Sequence, residues 1–135
     1  MKVGKKIGVI DSQDALIGNP AYDLVSLIDD VRIKTSIKLK NQIYNYYLKK
    51  NSKIYKTNSN KFLEDFKILS VQRSLKIIGI FSRLFIRDKK KRYLKFIPYT
   101  WQLLEMRMDS EIFSELKKMF DRNISRKIRR KIILK

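Results

Sequence analysis

Apolar residues recur at helical spacing along most of the chain that follows its first twenty residues. Asn19 is a good helix cap and Pro20 suits the first helical position, so a first helix is predicted from there to about Arg32. Ser36 is predicted to cap a second helix, and the polar stretch 49–58 is predicted to form a loop or a frayed end. The pattern therefore indicates a mainly helical chain.

A third helix is predicted over about Asn60–Phe85, where the apolar residues form two stripes instead of one. A helix with two apolar stripes is buried on much of its circumference, so we expect this helix at the centre of a bundle. Gln72 and Arg73 interrupt the apolar pattern. They are candidates for the polar groups of a substrate pocket, but we favour the interpretation of a partly buried polar pair that forms hydrogen bonds to neighbouring loops.

A turn at 88–91 precedes a fourth predicted helix, roughly Tyr93–Met108. Pro98 lies within this segment, and proline removes a backbone donor and disturbs a regular helix. Two arrangements are therefore open. Either the helix kinks at Pro98, or its regular part begins near Ile97.

The end of the chain is predicted to hold one more helix and a basic tail. Asp109 or Ser110 is predicted to cap the last helix, which runs through Asp121. The tail, residues 122–135, has seven basic residues and no acidic one. Its isoleucines recur at helical spacing, so it could form a basic amphipathic helix. The predicted division is a domain over 1–121 followed by this tail.

The first ten residues are predicted to be extended, because Val3 and 7–10 favour strands and 4–6 could form a tight turn. A two-stranded hairpin is marginally stable by itself. The predicted fold class is thus mainly α: a short N-terminal β-hairpin followed by a bundle of four to five helices. Such an object is typical of a piece of a larger fold.

Composition excludes several classes of site. The chain has no cysteine and no histidine. It therefore cannot supply disulfides, a catalytic thiolate, a catalytic histidine or a Cys/His zinc site. Its apolar runs are far shorter than the roughly 20 residues of a transmembrane helix, and no secretory signal is visible. We therefore expect a cytoplasmic protein without a transmembrane segment.

The net charge of +19 is distributed unevenly along the chain. Residues 1–30 hold three lysines and five aspartates, a net charge of −2, so the remaining 105 residues carry +21. Such a surplus attracts phosphate backbones non-specifically. The frequent Lys, Ile and Asn also fit compositional drift in an AT-rich genome, so the charge does not establish a nucleic-acid surface.

Most of the chemistry-bearing residues follow the predicted hairpin. Asp11 ends an apolar strand, Asp14 follows three residues later, and Asp23 lies on the first turn of the first helix. Carboxylates at the end of a rigid strand suit Mg²⁺ that also binds substrate phosphates. Each also has a structural interpretation, because aspartate is common in turns and favourable at helix N-termini.

The same segment resembles a kinase family. Ile-Asp-Ser-Gln-Asp-Ala (10–15) and Gly-Asn-Pro-Ala-Tyr-Asp-Leu (18–24) are similar to the metal-binding segment of aminoglycoside-phosphotransferase-type kinases, I-D-F-x-D-A and G-x-P-x-x-D-L. The nearer likeness is to the bacterial N-acetylmuramate/N-acetylglucosamine anomeric kinase group. Further likeness runs through 72–84 and 92–101, so the resemblance covers most of residues 3–121.

The resemblance implies a role for each of these aspartates. Asp11 matches the aspartate that chelates Mg²⁺ and so binds ATP, and Asp23 matches a residue that braces the catalytic loop. Asp14 matches a frequent acidic residue in a supporting position. Ser12 stands where the family usually has an aromatic residue, which implies looser anchoring of Asp11. The implied fold is the C-lobe portion of a protein-kinase-like fold, with a sugar pocket on the third helix and the loop near 83–93.

Other parts of such a kinase are absent from these 135 residues. There is no glycine-rich phosphate loop before residue 10 and no H-x-D-x-x-x-x-N catalytic loop. By resemblance, the chain is expected to begin just after that loop, with the catalytic base encoded upstream of Met1. We therefore expect a C-terminal fragment of an ATP-dependent sugar kinase, inactive alone, whose N-terminal half could be encoded separately.

A second hypothesis is a small, basic, non-enzymatic protein that binds nucleic acid. Lysines and tyrosines are interspersed over 44–56, and the tail adds positive charge. In this hypothesis, bases stack on the tyrosines and the basic residues contact phosphates. The same tyrosines lie at helical spacing and are also compatible with a core. A weaker alternative is that the tail binds membrane surfaces.

Overall fold

The computed structural model describes residues 17–51 and 58–131, together with the backbone of residues 2–3 and 6–7. Within these residues the fold is mainly helical, as predicted. The α-helices of the described part are α1 (Ala21–Ile28), α2 (Ile37–Lys50), α3 (Ser59–Ile86), α4 (Ile97–Arg107), α5 (Ser114–Asn123) and α6 (Arg126–Arg130). Two 3₁₀ segments, Lys91–Phe96 and Glu111–Phe113, directly precede α4 and α5.

The start of α1 follows the predicted chemistry, but its end does not. The helix begins at Ala21, with Pro20 rather than Asn19 at the N-cap position, so it starts one residue later than predicted. The Asn19 Oδ1 atom nevertheless accepts a hydrogen bond of 2.9 Å from the backbone N–H of Ala21. The helix ends at Ile28, four residues before the predicted end. The reason is Asp29, whose backbone leaves the helical region (φ −107°, ψ 40°) while its side chain turns into the protein interior.

Helices α2 and α3 lie close to their predicted positions. Ser36 caps α2, because its hydroxyl oxygen accepts a hydrogen bond of 3.2 Å from the backbone N–H of Leu39. Asn58 caps α3 in the same way by accepting from Lys61. Helix α2 extends to Lys50, so the first two residues of the predicted loop are helical. The remainder of that loop, 52–57, lies outside the described residues.

The structure decides between the two arrangements predicted around Pro98. Residues Lys91–Phe96 form a 3₁₀ helix, and the regular helix α4 starts at Ile97 with Pro98 in its first turn. The N–H that proline lacks would have no intrahelical partner there, so the helix needs no kink. A 3₁₀ turn also lies between Ser110 and α5, which therefore starts later than predicted.

The predicted N-terminal hairpin has only minimal support. Lys2–Val3 and Lys6–Ile7 are two-residue strands that pair antiparallel, with Lys2 opposite Ile7. A pairing of this size does not make a sheet against which a bundle packs. The predicted hairpin and its kinase-like setting therefore stay predictions.

Helix α3 joins two hydrophobic clusters and is central, as predicted. Its N-terminal half packs with α1 and α2 in the first cluster, whose buried members are Ala21, Leu24, Val25, Ile28, Phe62 and Phe66. Farther along α3, a second cluster forms with α4 and α5, with buried members Val71, Trp101, Leu104, Met108, Phe113 and Phe120. No described helix, α3 included, combines the length and apolar character that a membrane span requires.

Candidate functional site

A buried carboxylate fixes the end of α1 between the two clusters. The side chain of Asp29 is 2% exposed and receives hydrogen bonds from three helices. Lys40 Nζ lies 3.0 Å from Oδ1, Ser70 Oγ lies 2.7 Å from Oδ2, and Arg107 Nε lies 2.9 Å from Oδ2. Lys40 also donates to the backbone carbonyl of Ile28. We call Asp29, Lys40, Ser70 and Arg107 the Asp29 node.

Burial alone would raise the pKa of Asp29, because it disfavours the charged carboxylate. The hydrogen bonds and positive charge of Arg107, together with the hydrogen bonds from Ser70 and Lys40, outweigh this effect. The pKa of Asp29 therefore lies below its ordinary value of 3.8. Asp29 is ionised at neutral pH and holds the α1 end, so the next residues in sequence leave the helix in a fixed direction.

The Asp29 node makes a testable contribution to acid stability. A lowered folded-state pKa adds stability that is present above the unfolded pKa, about 3.9, and disappears as the pH falls through the folded pKa. We expect the difference in unfolding free energy between wild type and Asp29→Asn to be large at pH 7 and to shrink below about pH 4. Urea unfolding across this range measures it. A difference that is constant from pH 7 to pH 3 would contradict it.

Directly after Asp29 the chain borders a cavity of about 320 Å³. The cavity lies between the segment that follows α1, the middle of α3 and the 3₁₀ helix before α4. It has one charged wall and one aromatic and aliphatic wall, lined by Asp30, Val31, Arg32, Arg73, Ile77, Phe81, Tyr93 and Phe96. We call this the α1–α3 cavity.

Three rings form the aromatic wall of the α1–α3 cavity. The ring of Phe81 stacks on that of Tyr93 with a centroid distance of 5.4 Å. It also lies 5.8 Å from the ring of Phe96 at a tilt of 40°. Because each ring contacts a neighbour, the wall is held by packing rather than by one free side chain. It offers an apolar face to a ligand.

The charged wall contains a tightly bonded pair. Asp30 accepts hydrogen bonds from the backbone N–H of Arg32 and from two nitrogens of its guanidinium group, at 2.7–3.0 Å. The side-chain hydrogen bond from Arg32 is the main cause that lowers the pKa of Asp30, and the charge of Arg73 contributes as well. Asp30 is thus ionised at neutral pH, and Arg32 neutralises it.

Arg73 is the third charged group of this wall, and it corrects our interpretation of the Gln72–Arg73 pair. Gln72 is exposed, so the two residues do not form a buried polar pair. The guanidinium of Arg73 lies 6.0 Å from the ring centre of Tyr22, and its Nε is buried without a hydrogen-bond partner among the described residues. Arg73 is therefore a half-buried cation that pairs with no carboxylate among residues 17–51 and 58–131.

The start of α1 carries Asp23, one of the candidate site residues. Asp23 lies in the first turn of α1 and is exposed, where the helix dipole favours a negative charge. The turn before it is anchored to α3, because Asn19 Nδ2 donates to Asp65 Oδ2 at 2.8 Å. Asp23 is thus exposed on a helix end that is anchored to α3.

The other candidate residues, Asp11 and Asp14, lie outside the described residues together with Ser12 and Gln13. The structure therefore gives the position of Asp23 but no distance from it to either of these two carboxylates. Over residues 17–51 and 58–131, no group of three acidic, histidine or cysteine side chains could hold a metal ion. The predicted metal role of Asp11 therefore stays a prediction.

The features that suggested nucleic-acid binding are partly used inside the fold. Tyr44 contacts Phe66 edge-on at 5.1 Å, and Tyr47 stacks on Phe62 at 5.8 Å, so these two tyrosines belong to the first cluster. In the basic tail, Arg129 is 3% exposed and binds carboxylates of α4 and α5. Two tyrosine rings and one arginine are therefore engaged inside the fold and do not support nucleic-acid binding.

Sequence reasoning indicated part of the region around the α1–α3 cavity but not the segment after α1. It placed a pocket on the third helix and the loop near 83–93, but it did not single out Asp30 or Arg32. The available indication of this part of the cavity was the spacing Asp30-x-Arg32 directly after a helix. An acidic residue followed two positions later by a basic residue favours a local hydrogen-bonded turn.

The chain is similar to curated proteins named N-acetylmuramate/N-acetylglucosamine kinase. The relative from Caulobacter vibrioides is 34% identical over 125 residues, which is 93% of this chain and 34% of the relative. The chain is homologous to part of these kinases. The relative from Neisseria meningitidis is 38% identical over 67% of this chain and 28% of its own length. The relative from Pseudomonas aeruginosa is 37% identical over 73% of this chain and 30% of its own length.

The chain thus spans about a third of the length of the curated relatives it matches. No family model matches the chain, and no solved structure matches it. The three relatives show that the chain is homologous to part of these kinases. Membership in the wider aminoglycoside phosphotransferase family is an inference from the motifs.

Proposed function

We propose that this chain is the part of an ATP-dependent sugar kinase that holds Mg²⁺ and lines the sugar side of the active site. The observation that carries the proposal is the 34–38% identity to three kinases named for N-acetylmuramate and N-acetylglucosamine. In the proposed reaction a sugar hydroxyl oxygen bonds to the γ-phosphorus of ATP. The bond from that phosphorus to the leaving oxygen breaks, ADP departs, and the hydroxyl proton passes to a base.

Asp11 is the proposed metal ligand. A carboxylate is a hard oxygen donor, and one or two such ligands suffice for Mg²⁺ when phosphates and water complete its coordination. The bound ion would neutralise charge on the ATP phosphates. In this proposal Asp11 holds that ion, and Asp14 supports the loop that presents it.

Asp23 is proposed to brace the catalytic loop. Its exposure on a helix end anchored through Asn19 and Asp65 supports this role, because the carboxylate can accept backbone N–H groups of an adjacent segment. The base is proposed to come from outside these 135 residues, which contain no histidine and no H-x-D-x-x-x-x-N loop.

A hybrid protein tests the proposed function. The matched third of the Caulobacter vibrioides kinase is replaced by residues 1–135 of this chain, and the product is called the hybrid kinase. We expect the hybrid kinase to transfer phosphate from ATP to N-acetylglucosamine or N-acetylmuramate, whereas the chain alone does not. Coupled detection of ADP and mass spectrometry of the sugar phosphate measure this. A hybrid that unfolds cooperatively yet phosphorylates neither sugar would overturn the proposal.

A further inference from the structure

The charges around the α1–α3 cavity leave one cation without a matched anion. Asp30 and Arg32 neutralise each other through three hydrogen bonds. Arg73 lies close enough to Asp30 to lower its pKa, yet no hydrogen bond joins the two among the described residues. The cavity therefore carries a net positive charge on its α3 side.

Arg73 differs from the other interior arginines of the described chain. Arg107 bonds to both oxygens of Asp29, and Arg129 bonds to Glu105 and Asp121. Arg73 also lies over a ring, that of Tyr22, but its guanidinium pairs with no carboxylate within the described residues. A guanidinium group that lines a cavity and lacks a carboxylate partner in its own chain can pair with an anionic group of a ligand. A carboxylate matches a guanidinium best, because the two groups can form paired hydrogen bonds.

The aromatic wall specifies the rest of the ligand. Phe81 and Tyr93, whose rings stack at 5.4 Å, line the cavity together with Phe96 and Ile77 and give it an apolar part. A pyranose ring has one face made mainly of C–H groups, and this face suits an aromatic surface. The volume of about 320 Å³ lies at the lower end of the range of small-molecule pockets, which fits a monosaccharide.

We propose that the α1–α3 cavity receives the acceptor as an N-acetylated hexose that bears a carboxylate, and that Arg73 binds this carboxylate. The sugar ring lies against Phe81 and Tyr93. Arg73 thereby favours N-acetylmuramate, which carries a lactyl carboxylate, over N-acetylglucosamine, which does not. The choice of these two sugars rests on the proposed function. The assignment to this cavity rests on the charge and ring geometry.

Ligand titration followed by backbone amide NMR tests the assignment on the full 135-residue chain. The probes are N-acetylmuramate and N-acetylglucosamine. We expect both to shift amide signals of the α1–α3 cavity, with N-acetylmuramate bound about tenfold to a hundredfold more tightly. In Arg73→Gln this preference disappears, while the affinity for N-acetylglucosamine changes less than about twofold. Arg83→Gln, on an exposed position of the same helix, is the matched control and keeps the preference.

A second variant separates recognition from folding. Phe81→Leu removes a ring but no charge, so it should weaken both sugars by a similar factor and preserve the preference. The assignment is overturned if the sugars shift no cavity signals, or if Arg73→Gln and Arg83→Gln alter the preference equally. If Arg73→Gln weakens both sugars equally, Arg73 has a structural role and the assignment also fails.

The same variants in the hybrid kinase distinguish failure of this inference from failure of the proposed function. We expect Arg73→Gln to raise KM for N-acetylmuramate by about tenfold or more while kcat and KM for N-acetylglucosamine stay within about twofold. An active hybrid kinase whose KM ratio is unchanged by Arg73→Gln overturns the inference alone. Sugar binding at the cavity in a hybrid that transfers no phosphate overturns the proposed function alone. If the isolated chain gives no folded spectrum, the KM ratio decides the question.

Discussion

Asp11→Asn should lower kcat of the hybrid kinase by roughly 10²–10³-fold or more. Asparagine keeps the size of the side chain but removes the charge that a magnesium ligand contributes, so the ion would be held less tightly and the phosphates less well neutralised. The Mg²⁺ concentration needed for half-maximal rate should rise as well. Steady-state kinetics over a series of Mg²⁺ concentrations measure both changes.

Asp109→Asn is the matched control for this experiment. Asp109 is an exposed residue that pairs with Lys67, outside the predicted metal and sugar sites, so its loss should leave the rate and the Mg²⁺ dependence unchanged. Thermal unfolding of both variants shows whether the fold is kept. If Asp11→Asn retains wild-type activity and the same Mg²⁺ dependence, Asp11 is not the metal ligand.

Asp29→Asn should reduce the free energy of unfolding by about 3–5 kcal/mol at pH 7. The variant removes the carboxylate on which Lys40 and Arg107 converge, and the side chain of Lys40 is only 4% exposed. When a buried ammonium group loses its counter-ion, no ion pair compensates its desolvation penalty. Such a loss is a large share of the stability of a small domain. Urea unfolding followed by far-UV circular dichroism measures it.

Two further variants show whether the stranded charge is the cause. Asp109→Asn removes the carboxylate of an exposed ion pair with Lys67 and should change stability little. Asp29→Asn combined with Lys40→Met should be more stable than Asp29→Asn alone, because it also removes the buried ammonium. Equal losses from Asp29→Asn and Asp109→Asn would show that the Asp29 node contributes no more than a surface pair.

The helices could be predicted from sequence because their determinants are local. The caps Ser36 and Asn58 accept hydrogen bonds from residues three positions later, and the apolar spacing of α3 lies within one continuous segment. Pro98 is an intermediate case. Its chemistry restricts the chain to two arrangements, and the packing of the preceding 3₁₀ helix selects one of them.

The end of α1 and the α1–α3 cavity could not be predicted in the same way. Asp29 meets Lys40, Ser70 and Arg107, which are 11, 41 and 78 positions away. A sequence pattern does not reveal that these groups converge, so the periodicity of α1 extended the predicted helix to Arg32. The cavity likewise needs three separate segments to come together.

The candidate metal site depends on a different kind of inference. Spacing alone makes Asp11, Asp14 and Asp23 compatible with turns and helix dipoles. The motif resemblance is what gives each a kinase role, and these roles stay predictions. The comparisons show homology to part of the named kinases and assign no role to a single residue. The described geometry contributes the exposed position of Asp23.

Asp29 and Asp30 are neighbours in sequence, yet one carboxylate is locked in the interior and the other borders the cavity. Mutations that change ligand preference are therefore tolerated better at some positions around the cavity than at others. Substitutions near the α1 end risk disturbing a stabilising ion network, whereas those at Phe81 or Tyr93 do not touch it. Selection for binding of a new sugar in a variant library should accordingly enrich substitutions on α3 and in the 91–96 segment, and leave Asp29 and Asp30 unchanged.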